Sequence, residues 1–548
     1  MSDASQISNS QPWWRGAVIY QLYPRSFFDS NGDGIGDLPG ILAKLDYISS
    51  LGVDALWISP FFKSPMKDYG YDVADYRTVD PMFGSNEDFE QLIGAAHERG
   101  LKVMVDMVLA HTSDQHPWFQ ESRQSRTNPK ADWYVWVDPR PDGSPPNNWL
   151  SVFGGPSWKW EPRRRQYYLH HFLEVQPNLD WHNPQVVEAM LGEVEFWLER
   201  GVDGLRLDAI TTLLHDPQLR DNPPASAEGS GEGMATRDMP HTYQEHRYDR
   251  DHPDIMERFA QLRVLVDRYP DRFMLGEIAD VDSIIATARY TQGDSALHTG
   301  YTFQMIKDQF GVELMRRVIG RFEDELGSGW ATHAFGNHDC KRVVSRWGTL
   351  PHLEGDRAGL AKMLMACLLS LRGSICVYQG EELGLTEADL PLEALRDPWG
   401  IDFYPVFKGR DGCRTPMPWS HDPQRGGFTT ATPWLPVWHE HLALCVERQE
   451  ADPDSVLNAY RRFLAWRKQH PALITGDKLL LDTPEPIYAF ERHHPDERLL
   501  CVFNLSNGPV EMPMTRGWQP ITGHGFEAAF DDRTLSLPPF GVFFATAS

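Results

Sequence analysis

Residues 201–209 read Gly-Val-Asp-Gly-Leu-Arg-Leu-Asp-Ala, and residues 101–111 read Leu-Lys-Val-Met-Val-Asp-Met-Val-Leu-Ala-His. Each contains a short apolar run, Val202–Leu207 or Lys102–Val108, that leads to a carboxylate. Each run follows a stretch of helical spacing, Gln185–Arg200 or Asn86–Arg99. The same unit recurs in both directions. Upstream, strands are expected at Ala17–Tyr23 and Asp54–Ser59, with a helix at Leu38–Ser50. Downstream they are expected at Phe273–Glu277, Tyr301–Gln304, Thr332–Phe335 and Ser374–Tyr378, with helices at Val312–Glu325, Asp356–Leu371 and Asp454–Gln469. Eight strands alternating with helices predict an α/β fold of the (β/α)8 type, a TIM barrel, rather than a doubly wound sheet. In such a barrel the chemistry sits just beyond the C-terminal ends of the strands.

Two regions break the alternation. Residues 111–180 are too long for a connection and rich in Trp, Pro, Asn and Gly, which predicts a small domain inserted after the third strand. Residues 380–450 are a Pro-rich excursion expected to cover the barrel mouth. Residues 222–250, opening on Asn-Pro-Pro-Ala-Ser-Ala, read as a flexible loop. After about residue 472, short alternating runs such as Ile487–Phe490, Leu499–Val502 and Phe540–Ala545 predict an antiparallel β-domain. The expected organisation is a barrel of 1–110 and 181–471, an inserted domain of 111–180 and a C-terminal domain of 472–548.

Composition narrows the function. The 548 residues are 41% hydrophobic and 24% charged, which excludes a disordered or fibrous chain. With 77 acidic against 52 basic residues the net charge is −25, which repels phosphate backbones and anionic lipid. Small neutral ligands are therefore expected, with neither nucleic acid nor membrane as partner. Residues 1–16 lack the basic and apolar regions of a secretory signal, and no run approaches the roughly 18 apolar residues of a membrane span. Six Cys without a CxxC pair predict reduced thiols. A cytoplasmic monomer or weak homodimer is expected.

The acids at strand ends carry the chemistry: Asp106 in VMVDMVLAH, Asp208 in GVDGLRLDA, Glu277 in FMLGEI and Asp339 in AFGNHD. One such Asp commonly caps the following helix. Four, accompanied by Arg206, His111 and His338, fit a site in which neighbouring charges hold one carboxylate ionised and another protonated. Glycosidic bond cleavage needs that division. These four segments resemble the signature regions of the α-amylase family of retaining glycoside hydrolases. The resemblance extends over nearly the whole chain, through WWRGAVIYQLYPRSF, QPNLDW and GRDGCRTPMPW, and is strongest to the α-glucosidase and oligo-1,6-glucosidase branch.

The resemblance implies Asp208 as nucleophile, Glu277 as general acid/base and Asp339 as a third carboxylate on the sugar 2- and 3-hydroxyls. It implies His111 and His338 as donors to sugar hydroxyls, Tyr71 as a stacking platform, and Asp72 with Arg410 closing the pocket behind one glucose. Arg206, two residues before Asp208 on one strand, faces the same way and can keep it ionised. Phe153 and Phe172 are candidate aromatic walls, with core packing as the plain alternative; Arg414 is expected to pair within its loop. Ala209, directly after the nucleophile, implies maltose-type α-1,4 substrates, because branch members preferring α-1,6 bonds tend to carry Val there. Sucrose and alcohol acceptors follow as further small partners.

Asp29, Asn31, Asp33 and Asp37, with the carbonyl of Ile35, place oxygen donors at alternate positions with glycines between, which predicts one structural Ca²⁺ or Mg²⁺ remote from catalysis. Ala110 stands where endo-acting amylases carry a calcium-binding Asn, so that second metal site is not expected. Three other readings remain open: a glucosyltransferase or sucrose isomerase of the same family, a catalytically inactive binding subunit, and a metal-dependent hydrolase. The acids are complete, which disfavours the second, and no HExxH-type His spacing supports the third.

Overall fold

The computed structural model describes residues 11–226, 239–531 and 533–547. Eight parallel strands run as β1 (Val18–Leu22), β2 (Ala55–Ile58), β3 (Lys102–Val108), β4 (Gly204–Asp208), β5 (Phe273–Ile278), β6 (Thr299–Thr302), β7 (Thr332–Ala334) and β8 (Ser374–Tyr378). Consecutive strands pair from β1 through β6, β1 also pairs with β8, and β8 with β7. A parallel bridge between Gly300 and Ala331 closes the ring between β6 and β7. The fold is the TIM barrel that the alternation predicted.

Period-two alternation decides which residues face the axis. Leu56 and Ile58, Val103 and Val105, and Leu205 and Leu207 join the core between strands and helices. Ile19, Ala55, Trp57, Met104, Phe273, Leu275 and Tyr301 form a separate cluster within the ring. Asp106, Arg206 and Asp208 occupy the axial phase of β3 and β4, and all three are buried. The register sets Asp106 beside Arg206 and Glu277 beside Tyr301.

The helices start where their caps say. Asn86–Glu98 opens on a reciprocal capping box between Ser85 and Asp88. The helix expected over Leu38–Ser50 is instead two, Leu38–Ala43 and Leu45–Leu51. Lys44 leaves helical geometry at φ −110° and ψ 10°, and its ammonium lies 4.3 Å from the ring centres of Phe28 and Trp419.

Between β3 and the helix Pro184–Glu199 the chain forms a three-stranded antiparallel sheet of Trp136–Val137, Gln166–Leu169 and Trp158–Glu161. Residues 239–250, read as flexible from their polarity, are packed: a 3-10 turn spans Pro240–Tyr243, and His241, His246, Asp249 and Arg250 are buried. Residues 227–238 of that stretch lie outside the described residues. At the C-terminus, Ile487–His494, Glu497–Asn504 and Val542–Ala547 form the centre of an antiparallel sheet. Arg492, fully buried there, donates to the carbonyls of Ser370, Leu371 and Gly476 and so docks this sheet on the barrel. All six cysteines are free and buried. Among the described residues no helix is long and apolar enough to cross a membrane.

Candidate active site

The centre of the site is one guanidinium. Arg206, with no exposed surface, lies 2.7 Å from Asp106 Oδ1, 2.7 Å from Asp208 Oδ1 and 2.8 Å from Glu277 Oε2. It also donates to the Tyr301 hydroxyl at 2.9 Å, and that hydroxyl donates to Glu277 Oε1 at 2.9 Å. A buried charge survives only when paired, and here the pairing is threefold. Asp106 is further held by Trp57 Nε1 and the Tyr71 hydroxyl, each at 3.1 Å. Burial pushes Asp106 up to about 6 against the pull of Arg206. Burial also raises Asp208 well above the usual carboxylate range; Arg206 opposes the shift, and Glu277 and Asp106 add to it.

Ala209, directly after Asp208, sits in the left-handed region at φ 41° and ψ 41°. That turn aims its N–H at Glu277 Oε2, 3.0 Å away. β4 thus ends by presenting one carboxylate and steadying another.

A cavity of about 120 Å³ opens on this cluster, lined by Tyr71, His111, Asp208, Ala209, Glu277 and Asp339, with Phe153, Phe172, Phe303 and Trp399 as apolar walls. Asp68, Asp339 and Arg410 of its lining belong to a set of ion pairs. Arg410 binds Asp68 Oδ1 at 2.8 Å, Asp397 Oδ1 at 2.8 Å and Asp339 Oδ1 at 3.3 Å. Arg414 pairs with Asp339 Oδ1 at 2.7 Å and donates to the His338 carbonyl at 2.7 Å, so it serves the site rather than its own loop. Burial would raise Asp339, but His338, Arg410 and Arg414 together hold it well below the carboxylate range.

The acid of the Tyr71 segment is not the one expected. Asp72 has no exposed surface and accepts from Ser64 Oγ, Lys67 N and Asp68 N, so it braces its own loop and is turned away from the cavity. Asp68, four residues earlier, lines the cavity and receives Arg410. Gln176 of the QPNLDW segment donates to Asp68 Oδ2 at 3.1 Å and to the Tyr71 carbonyl at 3.3 Å.

His111 reaches the cavity wall, with Nε2 against the Tyr71 carbonyl at 2.9 Å; burial lowers it to about 4. His338 lies behind Tyr71. Its ring stacks on the Tyr71 ring at 5.4 Å, Nε2 is 2.6 Å from the Tyr71 hydroxyl and Nδ1 2.6 Å from Gln21 Nε2. Burial lowers His338 to about 3. Phe153 and Phe172 are walls and core at once: they pack on each other, Phe153 meets Trp399 edge-on, and Arg410 lies 5.2 Å over Phe153.

None of Asp29, Asn31, Asp33, Ile35 and Asp37 lines this cavity. Asp29 accepts from Asn31 N, Gly32 N, Gly34 N and Thr429 Oγ1. Asn31 accepts from Asp33 N, and Asp33 from Ile35 N. Asp37 accepts from Ser30 and caps the helix at Gly40 N. The donors are the hard oxygens that suit Ca²⁺ or Mg²⁺. Among the described residues, however, no group of three or more His, Cys, Asp or Glu side chains converges to hold a metal.

Comparison with known proteins agrees over the full length. The model of the α-amylase catalytic domain matches residues 21–476, and that of the maltogenic amylase C-terminal domain matches residues 478–544. A probable α-glucosidase of Rhizobium meliloti (strain 1021) is 51% identical over 99% of this chain and 98% of its own length. An oligo-1,6-glucosidase of Heyndrickxia coagulans is 37% identical over 93% of this chain and 96% of its own. Among solved structures, an α-glucosyl transfer enzyme superposes with a TM-score of 0.96 at 54% identity, covering 98% of this chain and 100% of that one. The trehalulose synthase MutB of Pseudomonas mesoacidophila MX-45 gives 0.88 at 33% identity with the same coverage. Barrel, strand-end carboxylates and C-terminal sheet together make this chain a member of the α-amylase family.

Proposed function

We propose that this protein is an exo-acting, retaining α-glucosidase that hydrolyses short α-glucosides, maltose-type α-1,4 bonds in preference, through a covalent β-glucosyl-enzyme. The observation that carries the reading is the joint grip of Arg206 on Asp208 and Glu277 beside a pocket closed by Asp68, Arg410 and Asp397. Asp208, with one oxygen on Arg206, attacks C1 of the glucosyl unit. Glu277 gives its proton to the leaving oxygen, so the C1–O bond breaks as the C1–Asp208 ester forms. Glu277, now ionised, takes a proton from the incoming water, which attacks C1 from the opposite face and releases α-glucose and Asp208 carboxylate. Asp339, kept ionised by its arginines, accepts from the ring hydroxyls. Exo action, with release of single glucose units, is the reading that the Asp68–Arg410 pair in the cavity lining supports, by standing where a second sugar on the non-reducing side would have to pass.

The acceptor in the second step need not be water. Phe153, Phe172, Phe303 and Trp399 make the cavity largely apolar, and the α-glucosyl transfer enzyme is similar over almost the entire chain. Glucosyl transfer to alcohols or sugars, including sucrose isomerisation, is therefore the second reading. The complete set of carboxylates argues against a binding subunit. The loop at residues 29–37 is proposed as a structural Ca²⁺ or Mg²⁺ site on its donor chemistry alone, and the buried thiols suit a cytoplasmic location.

The deciding experiment is proton NMR of the glucose first released from an aryl α-glucoside, with and without an alcohol acceptor. α-Glucose, or an α-glucoside of the alcohol, is expected first; β-glucose would reject retention. Asp208→Asn and Glu277→Gln should each lower kcat at least about 10³-fold with the fold intact.

A further inference from the structure

Behind the cavity wall lies a buried ion pair outside the carboxylate cluster. His246 and Asp249 have side chains with no exposed surface, and His246 Nδ1 is 2.7 Å from Asp249 Oδ2. His246 Nε2 is 2.8 Å from the carbonyl of His241. Both partners are acceptors only. A neutral imidazole has one N–H, so one of the two contacts would set lone pair against lone pair; the imidazolium satisfies both. The His241 ring stacks on the His246 ring at 3.8 Å, its Nδ1 faces the Leu150 carbonyl at 3.2 Å, and Arg250 reaches its Nε2 at 3.4 Å. Arg250 also lies 3.8 Å from Asp249 Oδ2, and His171 Nε2 meets the Asp249 carbonyl at 2.7 Å. The groups facing the pair are therefore His241 and Arg250 of its own segment and His171 of residues 111–180. His241 and Arg250 both line the cavity.

We propose that His246 is a positioning residue: as an imidazolium locked to Asp249, it fixes His241 and Arg250 as the wall that receives the leaving group or the incoming acceptor. The glucosyl unit itself is held elsewhere, by Asp339 and the Asp68–Arg410 pair. This pair thus tunes partner choice at the site and leaves the glucose end untouched. The inference rests on the glucosidase reading for its function, while its protonation state can be tested without it.

The first test is nitrogen-15 NMR of the wild-type protein labelled at histidine. Both ring nitrogens of His246 should carry a proton, one in each of its two hydrogen bonds; a ring nitrogen without a proton overturns the proposal. The second compares His246→Gln and Asp249→Asn with wild type. KM for maltose should rise about tenfold, and the ratio of alcohol transfer to hydrolysis should change, with the inhibition constant of 1-deoxynojirimycin, a mimic of the glucosyl unit alone, unchanged. Equal weakening of maltose and deoxynojirimycin would indicate general damage and overturn the proposal. A wild type inactive on every α-glucoside would instead reject the glucosidase reading, with the NMR result still deciding the state of His246.

Discussion

Replacing Ala209 by Val tests two consequences of one backbone conformation. At φ 41° and ψ 41° even alanine bears the left-handed penalty of about 1–2 kcal/mol, and a β-branched side chain crowds the backbone further. If the backbone holds, the two added methyls project into the cavity beside Asp208, where the leaving sugar must approach. An α-1,4-linked unit approaches more closely than an α-1,6-linked one, which has an extra rotatable bond. The maltose-to-isomaltose ratio of kcat/KM should then fall by about 10- to 200-fold, the 1–3 kcal/mol that a misplaced methyl group supplies. If the backbone relaxes, the Ala209 N–H swings away from Glu277 Oε2, now 3.0 Å distant. A hydrogen bond to a neutral carboxyl contributes about 0.5–1.5 kcal/mol, so both substrates would lose about 2- to 13-fold together. Steady-state kinetics on both disaccharides separates the two effects, and Ala209→Gly, which tolerates the left-handed region, controls for the backbone. An unchanged ratio with unchanged absolute rates would show that residue 209 neither selects the linkage nor steadies Glu277.

Asp68→Asn should raise KM for maltose by at least about tenfold by loosening Arg410, because a charged hydrogen bond contributes about 1.5–3 kcal/mol, whereas Asp72→Asn should lower thermal stability and leave the binding of 1-deoxynojirimycin nearly unchanged. The reverse pattern would restore Asp72 to the pocket. Thermal melts against pH should show greatest stability near about pH 6.5. Below it, His111, His171, His333 and His338, lowered by burial to between about 3 and 4, stay neutral in the fold while the unfolded chain takes protons, so stability falls with pH. Above it, Glu381 and Glu387, raised by burial to about 8 and 7, lose protons that the unfolded chain has already lost, so stability falls again as pH rises; Glu381→Gln should flatten that limb. A chelator should lower the melting temperature if the loop at residues 29–37 binds a cation that the unfolded chain does not, and elemental analysis finding no Ca²⁺ or Mg²⁺ would remove that site.

The barrel was legible because its strands obey a simple physical rule. An axial face that holds charge and an outer face that meets helices impose period two, and Leu205-Arg206-Leu207-Asp208 carries it plainly. Arg206 and Asp208 could be paired from spacing alone. Asp68 and Asp72 could not be told apart in this way, since both flank Tyr71 in one irregular loop and only the backbone decides which carboxylate meets loop N–H groups. Gly70, at φ 109° and with a would-be Cβ 2.8 Å from the Pro60 carbonyl, marks where that loop turns. Asp397 and Trp399 were invisible for another reason. They lie in an excursion without periodicity, and their place beside Arg410 and Phe153 is a long-range fact. The packing of residues 239–250 was missed because polar residues with Gly and Pro nearby look solvated, while here His246 and Asp249 satisfy each other.

The same rule of mutual satisfaction explains why one arginine can serve an acid and a nucleophile together. Arg206 meets Asp106, Asp208 and Glu277, so full ionisation would leave a net charge of −2 in a group with almost no access to water. Burial opposes that, and Asp106 and Asp208 are accordingly raised and hold a proton more readily. Asp106 is the member least able to release or deliver it, being walled in by Trp57 and Tyr71. Its charge nevertheless acts on Asp208 and adds to the rise of that carboxyl. Asp208, raised by burial, and Glu277 are the two carboxyls that reach the cavity, and the proposed first step needs one to donate while the other attacks. After the first bond breaks, Glu277 has lost its proton, but Asp208 has become a neutral ester, so the total charge around Arg206 is unchanged. The cluster therefore supports both half-reactions without any change in the charge it buries.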